Sequence, residues 1–426
     1  MNPLAIVSAI GSRGDVNPML ALSRELKRRG WRILFLTSEP YIPLAQAAGF
    51  ETHCLVTAEE FEHFIGQPGL WSPIKGLRVV LGETAAQLIQ PTLDLLSEHY
   101  RPGETILLTH PLDFGSRIFR DLHPEVPLIG TLLAPMAIRT PRQPAKLTGW
   151  SWEIQRPAWL VEASYWAADR LLIARWLDRP INRVRQAIGL APVRSVLNNW
   201  YLSPDLVLGL YPEWFAADKE HWPDRLQCTG FPLEDGAREM QRDTDSVLQA
   251  IRDRDPRPPV VFAPGTANRQ ASDFFRVAAE VCEALDVHGL LLTEFPEQLP
   301  DSLPANVHHE RYLPFRTALR HCQAIVHHGG IGTTSQSLAA GIPQLLIPMA
   351  FDQFDNARRV EKLGCGKTLL HRKLSFKRMF ERVRALLQDS AIKTRCLEIR
   401  ERLINSTSVV DSVDAIERHF QERVIQ

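Results

Sequence analysis

Three short stretches hold residue types whose spacing could do chemistry. The first, Ala324 to Gly341 (AIVHHGGIGTTSQSLAAG), runs from strand residues through two histidines and a glycine-rich turn into a Thr-Thr-Ser cluster and an alanine-rich helix. Glycines such as Gly330 and Gly332 let backbone approach a ligand. Thr333 or Thr334 could cap the helix, and a helix amino terminus offers free N–H groups to an anion. A histidine beside that turn, His328, could donate to a phosphate oxygen. A tight strand-to-helix turn with a structural histidine is the competing reading. The second stretch, Phe351 to Ala357 (FDQFDNA), sets Asp352 beside Gln353 after an apolar strand. Together they offer a carboxylate acceptor and an amide to sugar hydroxyls, although Asp352 could equally cap the helix that follows. The third, Gly11 to Pro18 (GSRGDVNP), brings the carboxylate of Asp15 to the end of the first strand, where catalytic groups of α/β folds collect. It lacks the third glycine of a dinucleotide-binding fingerprint, and Asp15 could instead cap a helix beginning at Pro18.

The elements that must hold these residues alternate between strand and helix in both halves of the chain. Leu4–Ile10, Arg32–Thr37, Thr105–Thr109 and Leu128–Leu133 read as strands of the first half, with a helix over Pro18–Arg29. Val260–Ala263, Gly289–Thr293, Ala324–His327 and Gln344–Ile347 read as strands of the second. The expected fold is α/β, two doubly wound Rossmann-like domains facing a central cleft, with ligand-binding loops at the carboxyl ends of the strands. All ten tryptophans lie between Trp31 and Trp222. Residues 1–235 are therefore assigned to a first domain, 236–258 to a linker ending in the charged, Pro-rich Arg252–Pro259, and 259–405 to a second domain. Residues 406–426 form a C-terminal helix able to pack back on the first domain.

Composition narrows the function classes. The 426 residues carry 49 Lys plus Arg and 49 Asp plus Glu, so the chain as a whole has no basic footprint for nucleic acid. The six cysteines are scattered without metal-ligand spacing, as suits a reducing cytoplasm. Met1–Ile10 lacks a positively charged leader and reads as a buried strand. His321–Phe351 is free of charged side chains and long enough to span a bilayer, but His327, His328, four glycines, Pro343 and Pro348 argue against a membrane helix. The D-x-D of Asp253-Arg254-Asp255 reads as a solvated charge run, and no metal site is expected. Phe61, Phe64, Trp71, Trp150, Trp152, Trp159, Trp166 and Trp176 could line a pocket for a lipid tail, or could equally be plain core.

The order HHGGIGTT then FDQFDNA, behind GSRGDVNP, resembles the two-domain nucleotide-sugar glycosyltransferases of the UDP-glycosyltransferase type, which have the GT-B fold. It is most similar to the rhamnosyltransferases of rhamnolipid biosynthesis, through GSRGDVNP, Trp214-Phe215, Thr229–Leu233 and the run from HHGGIG to FDQFDNARRVEKLGCG. The resemblance implies a nucleotide-sugar donor contacted by Gly11, Ser12, Gly14, Gly265, Thr266, Gly330, Gly332 and Thr333. It makes His328 the diphosphate-binding histidine, and Asp352 and Gln353 the pair that holds the donor sugar. Asp15 takes the place of a catalytic histidine, with His110 or His53 the next bases to examine. Tyr312 stands where many members stack a Trp on the base, and Phe315 replaces the Gln these members carry nearby. Gln336 stands where uridine-dependent members carry a Glu for the ribose hydroxyls. An amide lacks the charge that strengthens such a bond, which points to a deoxyribose donor.

The implied reaction is inverting, metal-independent and cofactor-free, moving L-rhamnose from dTDP-L-rhamnose to a 3-(3-hydroxyalkanoyloxy)alkanoate in the cytoplasm. A hydrophobic acceptor implies peripheral contact with the inner membrane or with an enzyme that makes the acceptor. A UDP-sugar transferase acting on a sterol or natural-product aglycone is the first alternative. A non-catalytic nucleotide-sugar-binding subunit, or an epimerase of the same fold, is the second.

Overall fold

Strands four to six residues long, with apolar runs of three or four, become the buried centres of two parallel sheets. The computed structural model describes residues 2–141, 144, 146, 157–198, 200–216, 222–236 and 244–425. The first sheet contains β1 (Leu4–Ala9), β2 (Arg32–Ser38), β3 (Glu51–Val56), β4 (Thr105–Thr109), β5 (Leu128–Leu132), β6 (Leu206–Gly209) and β7 (Leu226–Cys228). Their order is β3-β2-β1-β4-β5-β6-β7. The second contains β8 (Val260–Ala263), β9 (Gly289–Leu292), β10 (Val307–Glu310), β11 (Ala324–His327), β12 (Gln344–Leu346) and β13 (Gly366–Thr368), in the order β10-β9-β8-β11-β12-β13. Every pairing is parallel, as in Val7↔Leu108 and Ala263↔His327. The α/β, two-sheet GT-B expectation is met.

Each sheet reverses direction once, between β1 and β4 and between β8 and β11. Loops leaving two such neighbours diverge to opposite faces and open a crevice, the usual ligand site of a doubly wound sheet. The two crevices face each other.

Several elements differ from the sequence reading. The first helix spans Arg13–Arg28, not Pro18–Arg29: Ser12 is its N-cap and Asp15 lies in its first turn. Pro18, the sixth residue of that helix, lies past its first turn and leaves the Gly14 carbonyl without an intrahelical donor. The second glycine-rich helix begins at Ile331 with Gly330 as N-cap, so neither Thr333 nor Thr334 caps it. The expected linker carries a helix, Thr244–Arg254, whose Leu248 and Ile251 are buried with Val261 and Leu290. In its D-x-D, Asp253 accepts from Gln249 at 2.7 Å and Asp255 pairs with Arg257 at 2.7 Å.

The C-terminal helix, Ser408–Ile425, lies against the helix Arg13–Arg28. Arg29 pairs with Asp414 at 2.5 Å and Glu417 at 2.7 Å, and the Trp31 indole N–H donates to Glu417 at 2.9 Å. No helix among the described residues is long and apolar enough to cross a membrane.

Candidate active site

The loop after β1 and the loop after β4 meet because their strands are neighbours. Gly11, at φ +125°, allows the turn, and an added Cβ there would sit 2.4 Å from an Asp15 carboxylate oxygen. Asp15 Oδ2 accepts from the Ser12 backbone N–H at 2.7 Å and the Ser12 hydroxyl at 3.0 Å. Its Oδ1 faces His110 Nε2 at 3.4 Å. The Leu112 N–H donates to His110 Nδ1 at 3.2 Å, so the ring's proton sits on Nε2, pointed at Asp15. His110 is the strongest site residue that the motifs did not isolate. Only its place at the end of a strand hinted at it, whereas His53 lies on edge strand β3 and does not line the cleft.

The two histidines after β11 divide their roles. His327 is wholly buried, accepts from the Gly329 N–H at 3.1 Å and contacts Gln344 Oε1 at 3.0 Å; it is the structural histidine of the competing reading. His328 faces the cleft, its ring held between two glycines. A Cβ on Gly330 would lie 2.5 Å from His328 Nε2, and one on Gly265 would lie 3.2 Å from the ring. Burial pushes the His328 imidazole down to about 4, opposed in part by the Ala263 carbonyl. It is neutral at neutral pH. Gly332 lies within 3.7 Å of Gly14 from where its own Cβ would stand, so the amino termini of two helices meet across the cleft.

After β12, Gln353 Oε1 accepts from the Met349 and Ala350 N–H groups at 2.8 and 3.1 Å. Those donors fix which end of the amide is oxygen and leave the NH2 to donate. Asp352 Oδ2 accepts from Asn356 Nδ2 at 2.7 Å, and Asn356 also donates to the Gly329 carbonyl at 2.9 Å. Asp352 occupies the N-cap position but makes no side-chain cap. Burial raises its carboxyl to about 7, against the Asn356 hydrogen bond and helped by the Asp15 charge across the cleft.

One cavity of about 1200 Å³ joins all these groups. Gly11, Ser12, Gly14, Asp15, Gly265, Thr266, Tyr312, His328, Gly330, Gly332, Thr333, Gln336, Asp352 and Gln353 all line it. Gln336 is buried there. Tyr312 donates to the Asp235 carbonyl at 2.8 Å, with the Arg13 guanidinium 5.8 Å from its ring centre. Arg13 in turn spans the cleft to Glu294 at 3.2 Å, a contact that no motif foreshadows. Among the aromatics, Phe61, Phe64 and Trp71 line the cavity, while Trp159 and Trp166 face solvent. Trp176 packs beside Gly82, and Trp150 and Trp152 lie outside the described residues. Among the described residues no group of three or more His, Cys, Asp or Glu could hold a metal ion.

Residues 5–90 match the glycosyltransferase family 28 N-terminal domain, and residues 278–416 match the erythromycin biosynthesis protein CIII-like C-terminal domain. The chain is a GT-B nucleotide-sugar glycosyltransferase. This glycosyltransferase is 26% identical to 4'-demethylrebeccamycin synthase of Lentzea aerocolonigenes, across 98% of its own length and 99% of that protein. It is 23% identical to a sterol 3-beta-glucosyltransferase of Arabidopsis thaliana, across 97% of this chain and 68% of that one. In fold, the glycosyltransferase is similar to the solved glycotransferase of kitacinnamycin (TM-score 0.74, 19% identity, 99% and 100% of the two chains). It is also similar to the spinosyn rhamnosyltransferase SpnG (TM-score 0.67, 19% identity, 99% and 100%).

Proposed function

We propose that the protein moves L-rhamnose from dTDP-L-rhamnose to the hydroxyl of a 3-(3-hydroxyalkanoyloxy)alkanoate, with inversion and without a metal, as in rhamnolipid biosynthesis. The observation that carries the acceptor class is the composition of the cavity beyond Asp15. There Phe61, Phe64, Leu70, Leu77 and Leu81 line it from the first domain, a wall suited to an acyl chain. The donor class rests on Gln336 in the place of a carboxylate. Two structural neighbours, VinC and SpnG, were solved with thymidine diphosphate, which fits a deoxyribose donor here.

In this reading the acceptor hydroxyl attacks the anomeric carbon as the bond to the diphosphate oxygen breaks. Asp15 takes the hydroxyl proton, oriented by Ser12 and His110. The growing diphosphate charge meets the free N–H groups of Gly332 and Thr333 at the helix amino terminus, together with His328, and Gly265 and Thr266 close from the other side. Asp352 and the Gln353 amide hold the sugar hydroxyls, and Tyr312 flanks the base.

A second reading, a UDP-sugar transferase for a sterol or natural-product aglycone, is favoured by the near full-length similarity to 4'-demethylrebeccamycin synthase and by the similarity to 68% of the sterol glucosyltransferase. A matrix of dTDP- and UDP-sugars against hydroxy fatty acids and sterols, run with and without EDTA, separates the two. The nucleotide is tested independently by measuring affinities for thymidine and uridine diphosphates. We expect wild type to prefer the thymidine form and Gln336→Glu to move toward the uridine form. A wild-type preference for uridine diphosphate would promote the second reading.

A further inference from the structure

We propose that one face of the long helical rod Ala158–Ala187 docks on an anionic phospholipid surface and sets the cleft mouth against the bilayer. The proposal deepens, and rests on, the lipid-acceptor reading above. The rod runs through Ala158–Ala168, the π-helical Asp169–Asp178 and Arg179–Ala187. Its inner stripe recurs about every fourth residue, at Val161, Asp169, Ile173, Leu177, Ile181 and Arg185, all buried. The opposite face is left uncovered by the described residues. Trp159 is 66% exposed, Trp166 64% and Leu171 73%. Trp159 and Trp166 are seven residues apart, almost two full turns, and so share a side. Leu171, five residues beyond Trp166, stands about a third of a turn round from that pair, so the three exposed apolar groups spread over the uncovered half of the rod.

Charge selects the occupant. Arg170, Arg175, Arg179 and Arg183 are exposed along the same rod, and none is in an ion pair among the described residues. A row of arginines beside tryptophans matches anionic head groups above an acyl layer, with the aromatic rings at the boundary and the guanidinium groups at the phosphates. The rod's other flank supplies the link to chemistry: its Tyr165, Ala168 and Leu172 line the cavity that ends at Asp15. Exposed Ile74 lines the same cavity from the helix Pro73–Arg78, and Lys75 beside it is also exposed. An amphiphile leaving the bilayer here would pass along one helix into the cleft.

The test is flotation of the full-length protein with vesicles, without donor or acceptor. One set contains phosphatidylglycerol with phosphatidylcholine, the other phosphatidylcholine alone. We expect wild type to float with the anionic set and at least about tenfold less with the neutral set. The triple variant Trp159→Ser, Trp166→Ser, Leu171→Ser should partition at least about tenfold more weakly at an unchanged melting temperature, and Arg170→Glu with Arg175→Glu should do likewise. Both variants should keep wild-type turnover of a short, water-soluble acceptor. Wild type that floats with neither set, or variants that float like wild type, would overturn the proposal. A dimer in solution that the triple variant dissolves would instead assign the face to a second copy. Vesicle binding is read without catalysis, so lack of turnover with hydroxy fatty acids would defeat the acceptor reading while leaving this result distinct.

Discussion

Asp15 has both carboxylate oxygens engaged, one by Ser12 and the other facing His110, so its orientation is set before substrate arrives. Asp15→Asn keeps the shape and the Ser12 contacts but removes the proposed base. Turnover should fall ~10²–10⁴-fold while donor affinity stays nearly unchanged, as kcat and isothermal titration would show. Near-normal turnover would move the base to His110. Asp352 is half-buried in the cavity wall instead. Its carboxyl titrates near 7 in the folded chain against 3.8 for a free one, so between those values the native state holds the extra proton. The stabilising contribution is complete below 3.8 and is lost as the pH rises through 7. Asp352→Asn should therefore unfold later than wild type at pH 8, by on the order of 1–3 kcal/mol once the solvent reaching the cleft is allowed for, and lose the advantage near pH 4. Activity should drop at both. Equal denaturation midpoints at pH 8 would show that the carboxylate is comfortable where it stands.

At the level of elements, the turn between β11 and the helix Ile331–Ala340 does two jobs at once. It ends a buried strand with a structural histidine and starts a helix whose first N–H groups face the cleft. Its glycines are there for His328 as much as for the ligand, because the ring occupies the space that a Cβ on Gly330 would need. Gly330 itself has no positive φ, so Gly330→Ala strains no backbone and acts by displacing the imidazole. We expect a folded protein with an unchanged melting temperature and at least about tenfold weaker nucleoside diphosphate binding, comparable with removal of a charge-assisted hydrogen bond. Wild-type affinity in that variant would take His328 out of the diphosphate site.

Across the whole molecule, the two sheets are fastened behind the cleft by one buried cation. The Arg359 guanidinium holds Asp355 at 2.7 Å and donates to the carbonyls of Phe215 and Ala216 at 2.9 and 2.6 Å. Asp355 also holds Arg358 at 2.6 Å, so it keeps a partner if Arg359 is replaced. Arg359→Met removes the donor that both carbonyls have among the described residues and leaves one carboxylate half-compensated. The expected loss is roughly 3 kcal/mol. We also expect a denaturation curve that broadens or splits as the domains uncouple, with turnover reduced because Asp15 and His328 sit on opposite sides of the joint. A single transition at the wild-type midpoint would show that the C-terminal helix and the cleft contacts suffice.

Sequence alone determined what is local. β4, β8 and β11 have the bounds that their apolar runs predicted, because a strand buried on both faces writes itself as unbroken hydrophobicity. The strand–turn–helix of His328 and the placing of the Asp352–Gln353 pair after a strand were legible for the same reason: each lies within a dozen residues of the strand that carries it to the cavity. The polar strands β3, β10 and β13 were not, since at a sheet edge one neighbour's register, and no hydrophobic pattern, makes the strand. Tertiary structure alone decided that His110 meets Asp15, by placing β4 against β1, and that Arg359 reaches Phe215. It also decided which aromatics enter the cleft and which face outward. Periodicity shows that a helix has two faces, but only the packing of its neighbours determines which face is covered.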